Sequence, residues 1–157
     1  MAKMTVVFTG NENNLFSRII SKVTKGPYTH VALIIDEKNL IESFASKIDS
    51  DPYVGVWLHP AGRYNKYKSA VFINVEIPDQ KGAEQEIRDL LGCYYGFGDC
   101  IAAGIYSLTG RQIPANGELT MTCSETVIRI LRAGGLNILP GVKPDVISPM
   151  DLYRALT

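Results

Sequence analysis

Apolar positions along this chain switch between a period of two and a period near 3.6, and the switches mark its elements. The run "MTVVFT" predicts a short buried strand. In "NNLFSRIISKVT", Leu15, Phe16, Ile19, Ile20 and Val23 recur at helical spacing behind an asparagine that can cap the helix, and "KGPY" breaks it. "THVALIID" is β-branched and apolar on both faces, as a central strand is. "DEKN" reads as a turn and "LIESF" as the returning strand of an antiparallel hairpin. "YVGVWL" and "AVFINVEI" predict two more strands, with "HPAGRYNKYK" between them. From there the pattern is mostly helical. Ala83, Ile87, Leu90 and Leu91 form one apolar stripe. "YYGFGDCIAAGIYSLTG" turns from a glycine-rich segment into a small-residue helix, followed by the polar loop "RQIPANGELTM". Cys123 to Ala133 is a helix closed by Gly134-Gly135, and "SPMDLYRAL" is a last helix opened by Ser148 and Pro149. Strands first and helices afterwards predict an α+β domain, an antiparallel sheet covered by helices.

Length and composition narrow this further. The 157 residues, 46% hydrophobic and 20% charged, fit one globular domain spanning 1–157. A formal net charge of zero gives no reason to expect nucleic acid or an anionic membrane surface as a partner. No run approaches the roughly 18 apolar residues of a membrane span, and no signal peptide is recognisable. The expectation is a soluble, cytoplasmic protein, with release by lysis compatible with the same sequence. The three cysteines, Cys93, Cys100 and Cys123, match neither a disulfide framework nor zinc-ligand spacing, so no metal or other cofactor is implied.

Cys123 differs from the other two in its position. Thr122 is a good N-cap and Glu125 follows three residues later, a capping-box pattern that puts Cys123 at the first helical position. Free N–H groups and the positive end of the helix dipole favour a thiolate there and could hold an oxyanion. Cys123 also shares a stripe with Val127, Ile130 and Leu131, so the sulfur faces whatever the helix packs on. Two readings stand at this point: packing material, or nucleophile. Cys93 and Cys100 lack such a setting and read as structural.

A nucleophilic thiol needs a base. His30 opens "THVALIID" on the face with Ala32 and Ile34, and can be either a structural histidine or an imidazole facing the thiol. His59, before a proline in "WLHPAG", reads as a loop or edge residue. Trp57, Tyr64 and Tyr67 read as packing residues. Glu42, between Leu40 and Phe44, is a carboxylate on an apolar face that needs a partner. Hairpin register decides whether it meets His30. A two-residue turn at Glu37-Lys38 points Glu42 away. A three-residue turn pairs His30 with Phe44 and Ala32 with Glu42, on one face.

Taken together and in order, "PYTHVALIID", "LIESF", "GVWLHPAGRY", "CYYGFGDC", "TCSETVIRILRAGG" and "ISPMDLY" resemble the permuted NlpC/P60 superfamily of papain-like cysteine hydrolases, in its YiiX/YaeF-like branch, with lecithin:retinol acyltransferase-like proteins as more distant relatives. There, as here, the histidine strand precedes the cysteine helix. The resemblance implies a papain-like permuted fold and a Cys-His-Glu triad of Cys123, His30 and Glu42. The Cys123 N–H would lie in the oxyanion hole. It also implies substrate-binding positions at Tyr28 and Tyr95, and a cleft border at Asp99. The usual N-terminal "GDI" motif is not recognisable in "MTVVFTGNEN". The implied activity is hydrolysis of an amide bond in a peptide or in peptidoglycan. The alternatives are a thioesterase or acyltransferase acting on lipid acyl groups, and a non-catalytic binding module on the same fold. An apolar groove beside Cys123 would favour acyl substrates, and a polar, open cleft the amidase.

Overall fold

The computed structural model describes residues 2–10, 15–44, 54–112 and 120–157, without the side chains of 15–17, 19, 97–101 and 120. Its five long strands are β1 (Ala2–Thr9), β2 (His30–Ile34), β3 (Asn39–Phe44), β4 (Gly55–Pro60) and β5 (Val71–Ile77). They form one antiparallel sheet in the order β4-β3-β2-β1-β5, with the "HVALI" strand in the middle as its two-sided apolar pattern requires. The helices are α1 (Leu15–Thr24), α2 (Gln80–Leu90), α3 (Phe97–Thr109), α4 (Cys123–Ala133) and α5 (Pro149–Leu156). The α+β class expected from the segregated pattern is therefore observed. No helix among the described residues is long and apolar enough to cross a membrane.

Alternation along the strands splits the apolar residues between two faces. Met4, Val6, Phe8, Val31, Leu33, Ile41, Val56, Val75 and Ile77 point to one face. There they meet Ala83, Ile87 and Leu90 of α2 and Val127, Ile128, Ile130 and Leu131 of α4. Each fully buried aliphatic side chain contributes about 1.5–3 kcal/mol. The opposite face is smaller. Val7, Ala32 and Leu40 are covered by Tyr64, from the segment that follows β4 and folds back over the sheet. Local periodicity does not show that return, because its residues pack singly rather than as a stripe.

Helix α4 ends as its glycines require. Gly135 takes φ +91°, its N–H donates to Arg132 O, and Leu136 N–H donates to Leu131 O. This is a Schellman closure. A two-residue parallel pair was not expected: β6 (Tyr94–Tyr95) lies beside β7 (Thr120–Met121). Ser43 Oγ of β3 donates to Met121 O at 2.7 Å, and Gly96 N–H donates to the same carbonyl, so the residues just before Cys123 are tied to the sheet.

The start of β4 is tight. Gly55 has φ +119°, and a Cβ there would stand 2.1 Å from Cys93 O. Gly55→Ala is expected to destabilise the protein by about 2–3 kcal/mol, read as a lower urea midpoint at unchanged m-value.

Candidate functional site

The β2–β3 hairpin settles the register. Ile35 N–H donates to Asn39 O, leaving Asp36, Glu37 and Lys38 as a three-residue turn. Asp36 Oδ1 organises it by accepting from Lys38 N–H at 2.7 Å, Asn39 N–H at 2.8 Å and Asn39 Nδ2 at 3.0 Å. Leu33 then pairs with Ile41 and Ile34 with Leu40. This odd-numbered turn places Glu42 on the His30 face. His30 Nε2 and Glu42 Oε2 are 2.8 Å apart.

Helix α4 begins at Cys123, with Thr122 as N-cap. Thr122 Oγ1 accepts from Glu125 N–H at 3.1 Å. The sequence left open which face of the sheet α4 packs on. Helix α4 and Cys123 pack on the sheet face that carries Val31, Leu33 and Ile41, while His30 projects to the other face, its ring against Phe44 (4.7 Å) and Tyr64 (6.0 Å). The two groups meet because the sheet is split. Strands β2 and β3 pair at Leu33–Ile41 and Ile34–Leu40, and separate towards His30 and Phe44. The next hydrogen-bonded pair of that register would be Val31 with Ser43. Val31 N–H instead donates to the Cys123 sulfur, and Ser43 holds Met121. The tip of α4 fills the opening. The Cys123 sulfur there hydrogen-bonds His30, whose Nε2 is engaged by Glu42, which leaves Nδ1 for the sulfur.

Glu42 is fully buried, so it needs several donors. Tyr64 O–H donates to Oε2 at 2.6 Å, and Arg63 Nε lies 3.2 Å from Oε1. Arg63 Nη1 donates to His59 Nδ1 at 2.8 Å. That histidine's proton is therefore on Nε2, 3.8 Å from Glu42 Oε1. Tyr64, Arg63 and His59 were not expected at the site. Of the two readings of His59, loop or edge, the structure shows the edge: it is a buried residue of the edge strand β4. Pro60 suggested an earlier strand end, but β4 is an edge strand, where proline is tolerated. The signal available in the sequence was Glu42 itself, whose two carboxylate oxygens could not both be served by one histidine.

The charges couple across this chain of groups. Burial alone would lower the His30 pKa, but hydrogen bonding and charge from Cys123 and Glu42 outweigh it and push it up to about 10. Burial alone would raise the Cys123 thiol. The hydrogen bond and charge of His30, with N–H donation from Val31 and Ser124, bring it below its ordinary value. Glu42 is likewise held below the usual carboxylate range against its burial, by His30, Tyr64 and Arg63. The arrangement therefore favours a thiolate–imidazolium pair backed by a carboxylate. Burial pushes the Cys93 thiol the other way, up.

The remaining expected site residues divide. Tyr95 lines a cavity beside Cys123. Tyr28 lies elsewhere, its ring packed on Phe8 (5.8 Å) and Tyr153 (4.6 Å). The side chains of Asp99 and Cys100, and residues 113–119 of the polar loop before β7, lie outside the described residues. Compared with known proteins, the sequence matches no family model and no curated protein.

Proposed function

We propose that this protein is a cysteine hydrolase of the papain-like, permuted NlpC/P60 type, with Cys123 as nucleophile, His30 as general base and acid, and Glu42 as the group that orients His30. The observation that carries the reading is the unbroken contact from the Cys123 sulfur through the His30 ring to a fully buried carboxylate. The Cys123 thiolate attacks the acyl carbon, and the oxyanion that forms faces the Cys123 N–H at the start of α4. The carbon–leaving-group bond breaks as imidazolium of His30 gives its proton to the departing atom. His30, now neutral, takes a proton from water, the hydroxide attacks the thioester, and the acid leaves as the thiolate reforms. The sum is one acyl bond hydrolysed by one water. Sequence reasoning favours an amide bond in a peptide or in peptidoglycan; the same groups serve an ester or thioester.

The pair predicts its pH behaviour. Thiolate and imidazolium coexist from the lowered Cys123 pKa up to about 10, where His30 loses its proton. Turnover is expected to fall on the acid side below the ordinary thiol range and on the basic side near pH 10, whereas alkylation has only the acid limb. At pH 6, iodoacetamide is expected to label Cys123 at least about tenfold faster than a free thiol, and His30→Ala to remove the advantage. Labelling no faster than a free thiol, with no effect of His30→Ala, would leave a binding module on this fold.

A further inference from the structure

Two cations converge on Glu42. Its Oε2 holds His30 Nε2 at 2.8 Å, and its Oε1 faces Arg63 Nε at 3.2 Å. Arg63 belongs to the short 3-10 helix Ala61–Tyr64 that follows the edge strand β4. Two further contacts fix the plane of its guanidinium. Nη1 donates to His59 Nδ1 at 2.8 Å, and the central carbon lies 5.0 Å from the centre of the Phe44 ring. The same Phe44 ring lies 4.7 Å from the His30 ring, so one aromatic side chain touches both cations.

With Cys123 as thiolate, this line of groups is negative at Cys123, positive at His30, negative at Glu42 and positive at Arg63, and the four charges sum to zero. The other titratable groups that face Glu42 among the described residues are His59 from β4 and Tyr64 beside Arg63, and both are neutral there. His59 accepts at Nδ1 and carries its proton on Nε2. Burial and the Glu42 charge push the Tyr64 phenol up, so it remains a donor. Tyr67 and Lys66 lie one step further out, with the Tyr67 ring 5.6 Å from that of Tyr64 and Lys66 Nζ 5.7 Å from the Tyr67 ring. Without the guanidinium, Cys123, His30 and Glu42 carry one more negative charge than positive in a buried site. A sulfur that keeps its proton relieves that excess.

We propose that Arg63 is a positioning residue of the hydrolase: it balances Glu42 from behind, leaves the imidazolium of His30 to the sulfur, and so makes the thiolate the resting form of Cys123. The inference rests on the hydrolase reading and extends its machinery to the segment after β4. His59 serves the same end, since a neutral ring that accepts from Nη1 keeps the guanidinium turned towards the carboxylate.

The test is the pH profile of iodoacetamide labelling at Cys123, followed on the peptide that carries it, in the intact protein, Arg63→Gln and Arg63→Lys. Glutamine keeps an amide N–H for the carboxylate and carries no charge; lysine keeps the charge and loses the planar fork. The Arg63 side chain is 21% exposed, so water reaches the position, and a urea titration confirms that each variant is folded. In Arg63→Gln the labelling midpoint is expected to rise by about one pH unit. Labelling below both midpoints is then about tenfold slower, with the alkaline plateau unchanged. In Arg63→Lys the midpoint should return most of the way to that of the intact protein. A midpoint unmoved in Arg63→Gln, or a lysine variant that carries the full shift, overturns the inference and leaves the hydrolase reading standing. An ordinary thiol profile already in the intact protein overturns the hydrolase reading and this inference with it.

Discussion

Cys123→Ala is expected to lower turnover by about four orders of magnitude or more, to the level that the remaining groups give without a nucleophile. The size of the effect follows from what the sulfur does in the proposed cycle. It supplies the bond that divides one difficult substitution into two easier ones, and it supplies the charge that holds His30 protonated until the leaving group needs the proton. Removing it withdraws both. The imidazole keeps its Glu42 contact, but without the thiolate its pKa falls from about 10. Cys123→Ser is expected to be nearly as inactive, because an alcohol at that position does not ionise near neutral pH. The measurement is kcat/KM of all three proteins on one acyl donor. Retention of more than about a hundredth of the activity in Cys123→Ala would remove this residue from the mechanism. The substitution itself costs little stability, since the hole left by one sulfur atom is small.

Glu42 is expected to matter to both activity and stability, and the two can be separated. Glu42→Ala removes a fully buried charge on which His30, Tyr64 and Arg63 converge. Breaking such a buried pair costs about 3–5 kcal/mol, which a urea titration reads directly. Glu42→Gln keeps the volume and an oxygen for the Tyr64 hydroxyl, so it should cost less stability. It carries no charge, however. The imidazolium loses its support, and the basic limb of the pH–rate profile should move down from pH 10. With a weaker imidazolium the acid limb should move up towards the ordinary thiol range. Turnover at neutral pH is expected to fall about 10²–10⁴-fold. A Glu42→Gln protein with normal turnover and an unshifted profile would make Glu42 a folding residue alone.

Particular residues show which parts of this site could be read before folding. The start of α4 is local, since Thr122, Cys123 and Glu125 sit within one turn, and the helix begins there. The hairpin was legible only as a choice between two registers, because the alternation of "LIESF" is the same in both. Asp36 decides it through hydrogen bonds from Lys38 and Asn39, and side-chain closure of a turn leaves no periodic trace. The face on which α4 packs was not legible. Strand alternation separates His30 from Val31 but does not say which side a distant helix will choose. Nor was the opening between β2 and β3, which depends on β7 being drawn against Ser43 across 78 positions of chain. Tyr64 and Arg63 reach Glu42 for a similar reason. Their segment folds back over the sheet, a tertiary event in a stretch that reads as a polar loop.

The opening between β2 and β3 has a consequence for when the thiol becomes reactive. His30 and Glu42 lie 12 residues apart on a hairpin that closes locally, whereas Cys123 must come from more than 80 residues further along the chain. Before α4 docks, Cys123 has neither imidazole nor Val31 N–H beside it, and its sulfur is an ordinary thiol, mostly protonated at neutral pH. In the proposed hydrolase, geometry alone would thus withhold chemistry from the chain until α4 docks. The thiol meets its imidazole through the same docking contact that fills the opening between β2 and β3.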